Sequence, residues 1–354
     1  MAQFFGKCAL LDYPEHQNIG DHLLWIASIL YLEKTRSVQI GYVSSLHNFS
    51  SARLKKEIDR GQIVFAGGGS FGDLWPAHQQ FREDVIASHH DNSIIILPQS
   101  IYFQNEQNLQ RAAAIFNAHP DLTMFVRDQQ SYDLATKTFT SCKVFKAPDM
   151  VFALCDLELP KYATKISQKL LYLHRNDAEL NSNLNVPLAD LPPTKHENWF
   201  AFEEKYSEKH KFFQGTPSVW KIPGTARLYR EYWQRRLRDP ALWKSRRLWK
   251  RKHAMSELIG AKDTQTQNSW LLVHDAICQL KRFPLVLTDR LHGHILSVVL
   301  GIPNVFLPNS YGKNERFYDE WTHAIPSCKY VDNAAAIAGT VEHLISQQRQ
   351  PLHL

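Results

Sequence analysis

The stretch Leu285-Val-Leu-Thr-Asp-Arg-Leu-His-Gly-His-Ile-Leu-Ser-Val-Val-Leu-Gly-Ile-Pro-Asn-Val-Phe-Leu-Pro-Asn-Ser-Tyr-Gly-Lys313 decides how this chain is read. An apolar run, Leu285 to Leu287, stops at a polar knot of Thr288, Asp289, Arg290, His292 and His294. An apolar helical run, Ile295 to Leu300, follows, and Gly301 and Pro303 end it. That is the order strand, loop, helix, strand. In an open parallel sheet a ligand lies beyond the carboxyl ends of the strands, where helix N-termini offer free N–H groups to anions, and the knot falls at that place. Arginine and histidine there suit an anionic substrate, and Gly293 lets a ligand approach the backbone. Asp289 capping the helix, with the histidines as polar filling, is the plainer account. Four donor or ionisable residues beside one glycine favour a site.

Working outward, 354 residues suffice for two domains of ordinary size, each with its own core. Hydrophobic residues at 44% and charged residues at 21% are the composition of a soluble globular protein. No apolar run approaches the roughly eighteen residues a bilayer span needs. The start, Met1-Ala-Gln-Phe-Phe-Gly-Lys7, lacks a basic region followed by an apolar core, so a cytoplasmic protein is expected. The five cysteines are odd in number and far apart with no C-x-x-C pair, which excludes a zinc knuckle or disulfide framework and leaves reduced core residues.

The net charge of +6 is unevenly spread. Twelve Lys or Arg stand between Lys221 and Lys252 against Glu231 and Asp239, a local +10 that leaves −4 for the remainder. Leu228, Tyr229, Tyr232, Trp233, Leu237, Leu242, Trp243, Leu248 and Trp249 lie among them at roughly helical spacing. A basic helix with Trp and Leu on one face suits an anionic bilayer, each Lys or Arg adding about 1 kcal/mol. The same pattern suits a solvated helix docked through its aromatics. Nucleic acid has no supporting motif elsewhere.

The rest of the chain alternates. The apolar run Cys8 to Leu11 opens into a loop ending Asn18-Ile-Gly-Asp21, followed by an amphipathic stretch, His22 to Leu32. Asn18 and Gly20 permit a tight, positive-φ turn, and Asp21 is placed to cap the helix. The loop is not G-x-G-x-x-G, so a dinucleotide is not indicated. Further strands are expected at 38–43, 63–66, 94–97, 122–126 and 142–145. The strand at 63–66 runs into Gly67-Gly-Gly-Ser-Phe-Gly-Asp-Leu-Trp-Pro76, a loop whose glycines leave N–H groups open to an anion or sugar, with Trp75 as a flat face for a pyranose. Strands ending in Pro98-Gln99-Ser100, Arg127-Asp128 and Ala147-Pro148-Asp149 give loops on one face of a parallel sheet. Arg127 is readily aimed at a phosphate or carboxylate, with a bridge to Asp128 or Asp133 as the plainer alternative.

Composition breaks at Asp156 to Lys165, and a strand at 169–173 begins a second unit. Strand and helix alternation is lost from about 181 to 263 among Pro187, Pro192, Pro193, Pro217 and Pro223, which marks an insertion. The expected organisation is an N-terminal domain over 1–155, a C-terminal domain over 166–332 carrying the basic aromatic insertion at about 181–263, and a C-terminal helix and tail over 333–354.

Seven stretches taken together resemble the polysaccharide pyruvyl transferase family: Asn18-Ile-Gly-Asp21, Gly67 to Pro76, Leu97-Pro-Gln-Ser100, Val126-Arg-Asp128, Ala147-Pro-Asp149, Asp289-Arg-Leu-His-Gly293 and Asn309-Ser-Tyr-Gly-Lys313. They cover most of the chain in order, whereas the basic segment 221–252 has no counterpart in the family pattern. The resemblance implies an α/β fold of two Rossmann-like domains facing a cleft, GT-B-like, with the acceptor on the N-terminal side and the donor on the C-terminal side. It implies transfer of the enolpyruvyl carbons of phosphoenolpyruvate to two hydroxyls of one sugar, forming a cyclic ketal and releasing phosphate. No cofactor and no metal are expected, since no D-x-D and no cluster of His and carboxylates demands one.

By the same resemblance Arg127, His292 and Lys313 hold the donor, with Arg290, Asn309 and Gly293 as neighbours. His292 is the candidate acid for the methylene carbon, beside Arg290. Asp21 is the candidate base, with Asp73 second, and Asn18, Gly68, Gly69, Ser70, Asp73 and Trp75 would hold the acceptor. The implied partners are phosphoenolpyruvate, a glycan, lipid-linked, and an anionic membrane surface reached through 221–252, which would place the protein at the inner face of the cytoplasmic membrane. Two rival functions remain open. A GT-B nucleotide-sugar glycosyltransferase would use an acidic residue near the 285–313 loop, such as Glu315 or Glu320. A non-catalytic polysaccharide- or membrane-binding protein would lack Arg127 or His292, and both are present.

Overall fold

The computed structural model describes residues 6–349 except 17, 163–165, 178, 198, 200–238 and 255–263. The N-terminal sheet contains β1 (Lys7–Leu11), β2 (Gln39–Ser44), β3 (Gln62–Phe65), β4 (Gly68–Gly72), β5 (Ile94–Tyr102), β6 (Leu122–Val126) and β7 (Lys143–Lys146). They run in the order β2-β1-β3-β5-β6-β7, with β4 also pairing β5. The C-terminal sheet contains β8 (Leu170–Leu173), β9 (Thr194–Glu197), β10 (Val286–Thr288), β11 (Asn304–Phe306) and β12 (Cys328–Tyr330), ordered β12-β11-β10-β8-β9. Every pairing in both sheets is parallel, which requires crossovers and buries both faces of the central strands.

The crossovers supply α1 (Ile19–Ile29, extended by a π-helical turn at Leu30–Thr35), α2 (Ser51–Ile58), α3 (Pro76–Ser88), α4 (Glu106–Ala118), α5 (Gln129–Thr138), α6 (Pro240–Ala254), α7 (Thr264–Leu280), α8 (Leu291–Val299) and α9 (Lys313–Phe317), and α10 (Ala334–Arg349) follows the last strand. The fold is the α/β, two-domain Rossmann-like, GT-B-like architecture.

Two elements depart from the sequence reading. The glycine stretch is not a loop but the strand β4, which pairs Gly68 with Gln99 and Gly72 with Tyr102 along a β5 that continues through Pro98-Gln99-Ser100. β4 thus prolongs the lane of β3, and the glycines serve close strand packing: a Cβ on Gly72 would lie 1.8 Å from Tyr102 O. The second departure is β9, inside the presumed insertion. Its Thr-Lys-His-Glu sequence has no apolar alternation because it is an edge strand whose middle residues are exposed, a place where charge is favoured over hydrophobicity.

The cores are not independent either. One cluster joins both sheets, uniting Leu10, Val64 and Trp25 with Trp270, Leu173 and Val286, while smaller clusters cover the outer face of each sheet. The cause is α1: read from sequence as amphipathic, it is instead buried at ten of its eleven residues, because it packs between the two halves rather than on the outside of one. Trp25 Nε1 donates to Thr266 Oγ1 at 3.0 Å and His22 is hydrogen-bonded to Ser269 Oγ at 2.8 Å, tying α1 to α7 across the two halves. Trp321 Nε1 donates to Arg127 O at 2.8 Å, and Lys146 pairs with Glu320 at 2.7 Å, so the halves meet at a second place.

The part of the basic aromatic segment that is described, residues 239–252, forms most of α6, and its Trp249 faces inward. Trp249 is buried and donates to Trp270 O at 2.8 Å, Ser245 bonds His274 at 3.0 Å, and Arg246 pairs with Asp275 at 3.2 Å. Trp249 is therefore a docking residue, while Lys244, Arg247, Leu248, Lys250 and Arg251 face solvent. The aromatic residues 228–233 and Leu237 lie outside the described residues. Among the described residues no helix is long and apolar enough to cross a membrane. All five cysteines are free, and Cys155, contrary to a core role, is exposed.

Candidate functional site

A cavity of about 320 Å³ opens where the carboxyl ends of the two sheets face each other. Its C-terminal wall carries Arg175 and Glu179 after β8, Arg290 and His292 after β10, and Lys313 at the start of α9. Its N-terminal wall carries Asp12 and Asn18 after β1, Asp21 in the first turn of α1, Gly68 to Ser70 on β4, and Trp75 and His78 at the start of α3. Arg127, at the end of β6, joins the cations from the N-terminal sheet.

Arg127 is buried, and neither Asp128 nor Asp133 is its counter-ion. Its Nε donates to Ser100 Oγ at 2.9 Å and its Nη1 donates to Asp149, whose other oxygen accepts from Val151 N at 2.9 Å. Asp128 instead caps α5 by accepting from Ser131 N at 2.8 Å. Burial opposes ionisation of Asp149, yet the Arg127 guanidinium, His292 and the Val151 N–H outweigh it and hold the carboxyl well below the usual range. His292 Nε2 lies 3.6 Å from the same Asp149 carboxylate, so one carboxylate orients both the arginine and the imidazole.

Gly20 explains how the imidazole fits. A Cβ at position 20 would sit 2.2 Å from His292 Nδ1. The glycine is therefore needed for close approach of the second domain, not for a positive φ, which it does not have. The helix cap is likewise Asn18 rather than Asp21: Asn18 Oδ1 accepts from Gly20 N at 3.1 Å, and its Nδ2 donates to Asp21 Oδ2 at 2.8 Å. Gly20→Ala should gain about 1 kcal/mol of helix propensity. It should nonetheless lower turnover about 100-fold, because it displaces His292 by an ångström or more. Parallel thermal unfolding and steady-state rates check both halves; an unchanged rate contradicts the assigned role of Gly20.

On the opposite wall Arg175 and Lys313 are paired with carboxylates, and Arg290 stands beside them. Arg175 holds Asp177 through two bonds of 2.8 and 3.1 Å and Glu179 at 3.0 Å; Lys313 Nζ donates to Glu179 Oε2 at 2.5 Å. Burial alone would raise the Glu179 carboxyl, but Lys313 and Arg175 bring it down to about 2. Arg290 donates to His174 O at 3.1 Å, and burial with the neighbouring Arg175 pushes its guanidinium down to about 10, still charged at neutral pH. Crowding of like charge at a cavity wall marks a place suited to an anion.

Of the residues singled out from sequence, Asn18, Asp21, Gly68, Gly69, Ser70, Trp75, Arg127, Arg290, His292 and Lys313 line this one cavity. Three others do not. Asp73 accepts from Gln104 N at 2.9 Å and Asn105 N at 2.8 Å, tying the end of β4 to the segment between β5 and α4. Asn309 Oδ1 accepts from Asn314 N at 3.1 Å. Gly293 packs so closely that its Cβ would lie 2.9 Å from Leu173 and from Thr288, so its smallness serves the fold. His294 is a core residue, stacked on Phe306 and bonded to Asn304 at 2.6 Å and Thr322 at 2.9 Å; burial pushes its imidazole down to about 4. Asp289 does not cap α8, whose N-cap is Arg290 without a side-chain bond.

Asp12, Asp149, Arg175, Glu179 and His78 were not assigned roles from the sequence, although all but His78 stand just past the end of a strand or its loop. That position was the available signal.

The profile of the family described as polysaccharide pyruvyl transferase matches residues 18–219. EpsO of Bacillus subtilis strain 168 is 29% identical over 334 residues, covering 94% of this chain and 91% of that protein. Pyruvyl transferase 1 of Schizosaccharomyces pombe is 27% identical over 349 residues, 96% of this chain and 75% of that one. A crystal structure of a functionally uncharacterized protein of Klebsiella pneumoniae superposes with a TM-score of 0.55 at 18% identity, covering 93% of each chain, and shares the fold. With a family profile matched over more than half its length and relatives aligned nearly end to end, the chain belongs to the polysaccharide pyruvyl transferase family, transferases that place pyruvyl groups on polysaccharide.

Proposed function

We propose that the donor is phosphoenolpyruvate and that its three carbons become a cyclic ketal across two hydroxyls of one sugar. The observation that carries this is the concentration of Arg127, Arg175, Arg290, His292 and Lys313 on one cavity, opposite Asp21 and Trp75. A donor bearing both a phosphate and a carboxylate needs several cations, whereas an uncharged sugar is served by an aromatic face and hydroxyl-binding groups. Arg127, Arg290 and Lys313 bind the donor, displacing Glu179 from part of its ion pairs. His292, oriented by Asp149, protonates the methylene carbon and leaves the adjacent carbon electrophilic. A sugar hydroxyl adds there as Asp21 takes its proton; phosphate then leaves and the second hydroxyl closes the ring. Trp75, half exposed at the cavity mouth, stacks the acceptor sugar.

Glu315 and Glu320, the acidic residues a nucleotide-sugar transferase would use, are not on this cavity, and Glu320 is engaged by Lys146. Calorimetric titration with phosphoenolpyruvate and with nucleotide sugars separates the two functions: binding of the first supports this proposal, and binding of the second alone refutes it. The acceptor proposed is a lipid-linked repeat on the cytoplasmic side, with the solvent face of α6 against anionic lipid. Co-sedimentation with phosphatidylglycerol vesicles that is unchanged when Lys244, Arg247, Lys250 and Arg251 become Ser would refute the membrane contact.

A further inference from the structure

Forming a ketal makes two C–O bonds and therefore breaks two O–H bonds, so two protons must be taken from the acceptor, and a lone base would have to be cleared of the first before the second. Asp21 is one base on the acceptor wall. Across the same wall His78, in the first turn of α3, is hydrogen-bonded through Nδ1 to Asp12 Oδ1 at 2.7 Å. Among the described residues its Nε2 has no hydrogen-bond partner, and the ring lines the cavity. Asp12 is itself held in an uncommon state: it sits at φ 71, in the left-handed region that non-glycine residues seldom occupy. Such a conformation persists only where surroundings over-determine it and is found at functional sites. Here His78 holds one oxygen and Arg82 Nη2 stands 3.6 Å from the other; the same arginine donates to Ser70 Oγ at 3.1 Å and so anchors Asp12 to β4. His16 links the two bases in space, with its ring 6.4 Å from that of His78 and its Nε2 3.6 Å from Asp21.

We propose that His78, oriented by Asp12, takes the proton of one acceptor hydroxyl while Asp21 takes that of the other. A carboxylate, an imidazole and a hydroxyl in line are the arrangement that activates a nucleophilic oxygen. The protons balance: phosphoenolpyruvate gains one at its methylene carbon from His292, and the two sugar hydroxyls give up two. One of these restores His292 and the other departs on phosphate as its bond to carbon breaks. His78 is the catalytic residue and Asp12 its positioning residue. The inference rests on the ketal-forming reaction proposed above.

The groups facing His78 are Asp12, Asp21, Arg82 and His16. Burial pulls its imidazole toward the neutral form, Asp12 and Asp21 pull toward the cation, Arg82 opposes them, and the net shift is upward. The base is active above its pKa. Asp12→Asn removes the upward pull, so the acid limb of kcat/KM should move to lower pH; asparagine tolerates the left-handed backbone, and the fold should stand. His78→Gln should lower kcat for ketal formation about 100-fold or more. Phosphoenolpyruvate affinity, measured by calorimetry, should stay at the wild-type value in both variants, since the donor cations lie elsewhere. A wild-type kcat in His78→Gln, or an unmoved acid limb in Asp12→Asn, overturns the assignment while leaving the donor reading intact. Failure of the wild-type protein to bind phosphoenolpyruvate overturns both.

Discussion

His292→Gln should lower ketal formation about 10²- to 10⁴-fold, the contribution typical of a positioned general acid. Its affinity for phosphoenolpyruvate should fall much less. The reason lies in the contacts. Arg127, Arg290 and Lys313 carry the charge that binds an anion, whereas His292 carries the transferable proton and is held against Asp149 by a single 3.6 Å approach. Glutamine fills similar space beside Gly20 but cannot protonate carbon. Steady-state rates and donor titration on the same preparation check this; equal loss of both would make His292 a binding residue only.

Arg127→Ala should unfold more easily by about 3–5 kcal/mol, because it strands the buried Asp149 carboxylate without its partner. The loss depends on pH with a defined sign. In the wild-type protein the folded-state pKa of Asp149 is depressed. The stability it contributes is therefore fully present above the unfolded carboxylate value of about 3.9 and is lost as pH falls through the lower folded value. In Arg127→Ala the largest opposing cause is gone and burial is resisted only by His292 and the Val151 N–H, so the pKa rises and the variant's deficit should shrink from pH 7 toward pH 4. Adding Asp149→Ala removes the stranded charge and should restore part of the stability without restoring activity. Urea unfolding at several pH values, with donor titration, tests this; a deficit independent of pH and of Asp149 contradicts it.

Which features could be read from sequence follows from what each depends on. Arg127, Arg290, His292 and Lys313 were legible because local pattern alone places polar residues after apolar strand runs. Their counter-charges were not: Asp149 lies 22 residues from Arg127 and Glu179 lies 134 from Lys313, so only tertiary approach pairs them. Gly20 was read as backbone freedom and Gly293 as room for a ligand, but each is small because a side chain from an element distant in sequence, His292 and Leu173 respectively, lies against it. Asp73 and Asn309 share the residue types of a site yet spend their oxygens on nearby backbone N–H groups, a use that type and position do not distinguish. The glycine strand β4 escaped detection since glycine has low strand propensity; pairing to the long β5 overrides it. Independent cores were expected from length and α1 was read as amphipathic; the structure buries ten of its eleven residues and so gives the two sheets a shared core.

The central claim is tested most directly by incubating the protein with phosphoenolpyruvate and a panel of galactosides, glucosides, mannosides and N-acetylmannosamine derivatives, including lipid-linked forms. Phosphate release and product mass are followed together. The predicted result is stoichiometric phosphate with a product heavier by one pyruvic acid less one water, formed on one class of acceptor and absent in His292→Gln. No phosphate release across the panel, with no binding of phosphoenolpyruvate by calorimetry, would contradict it.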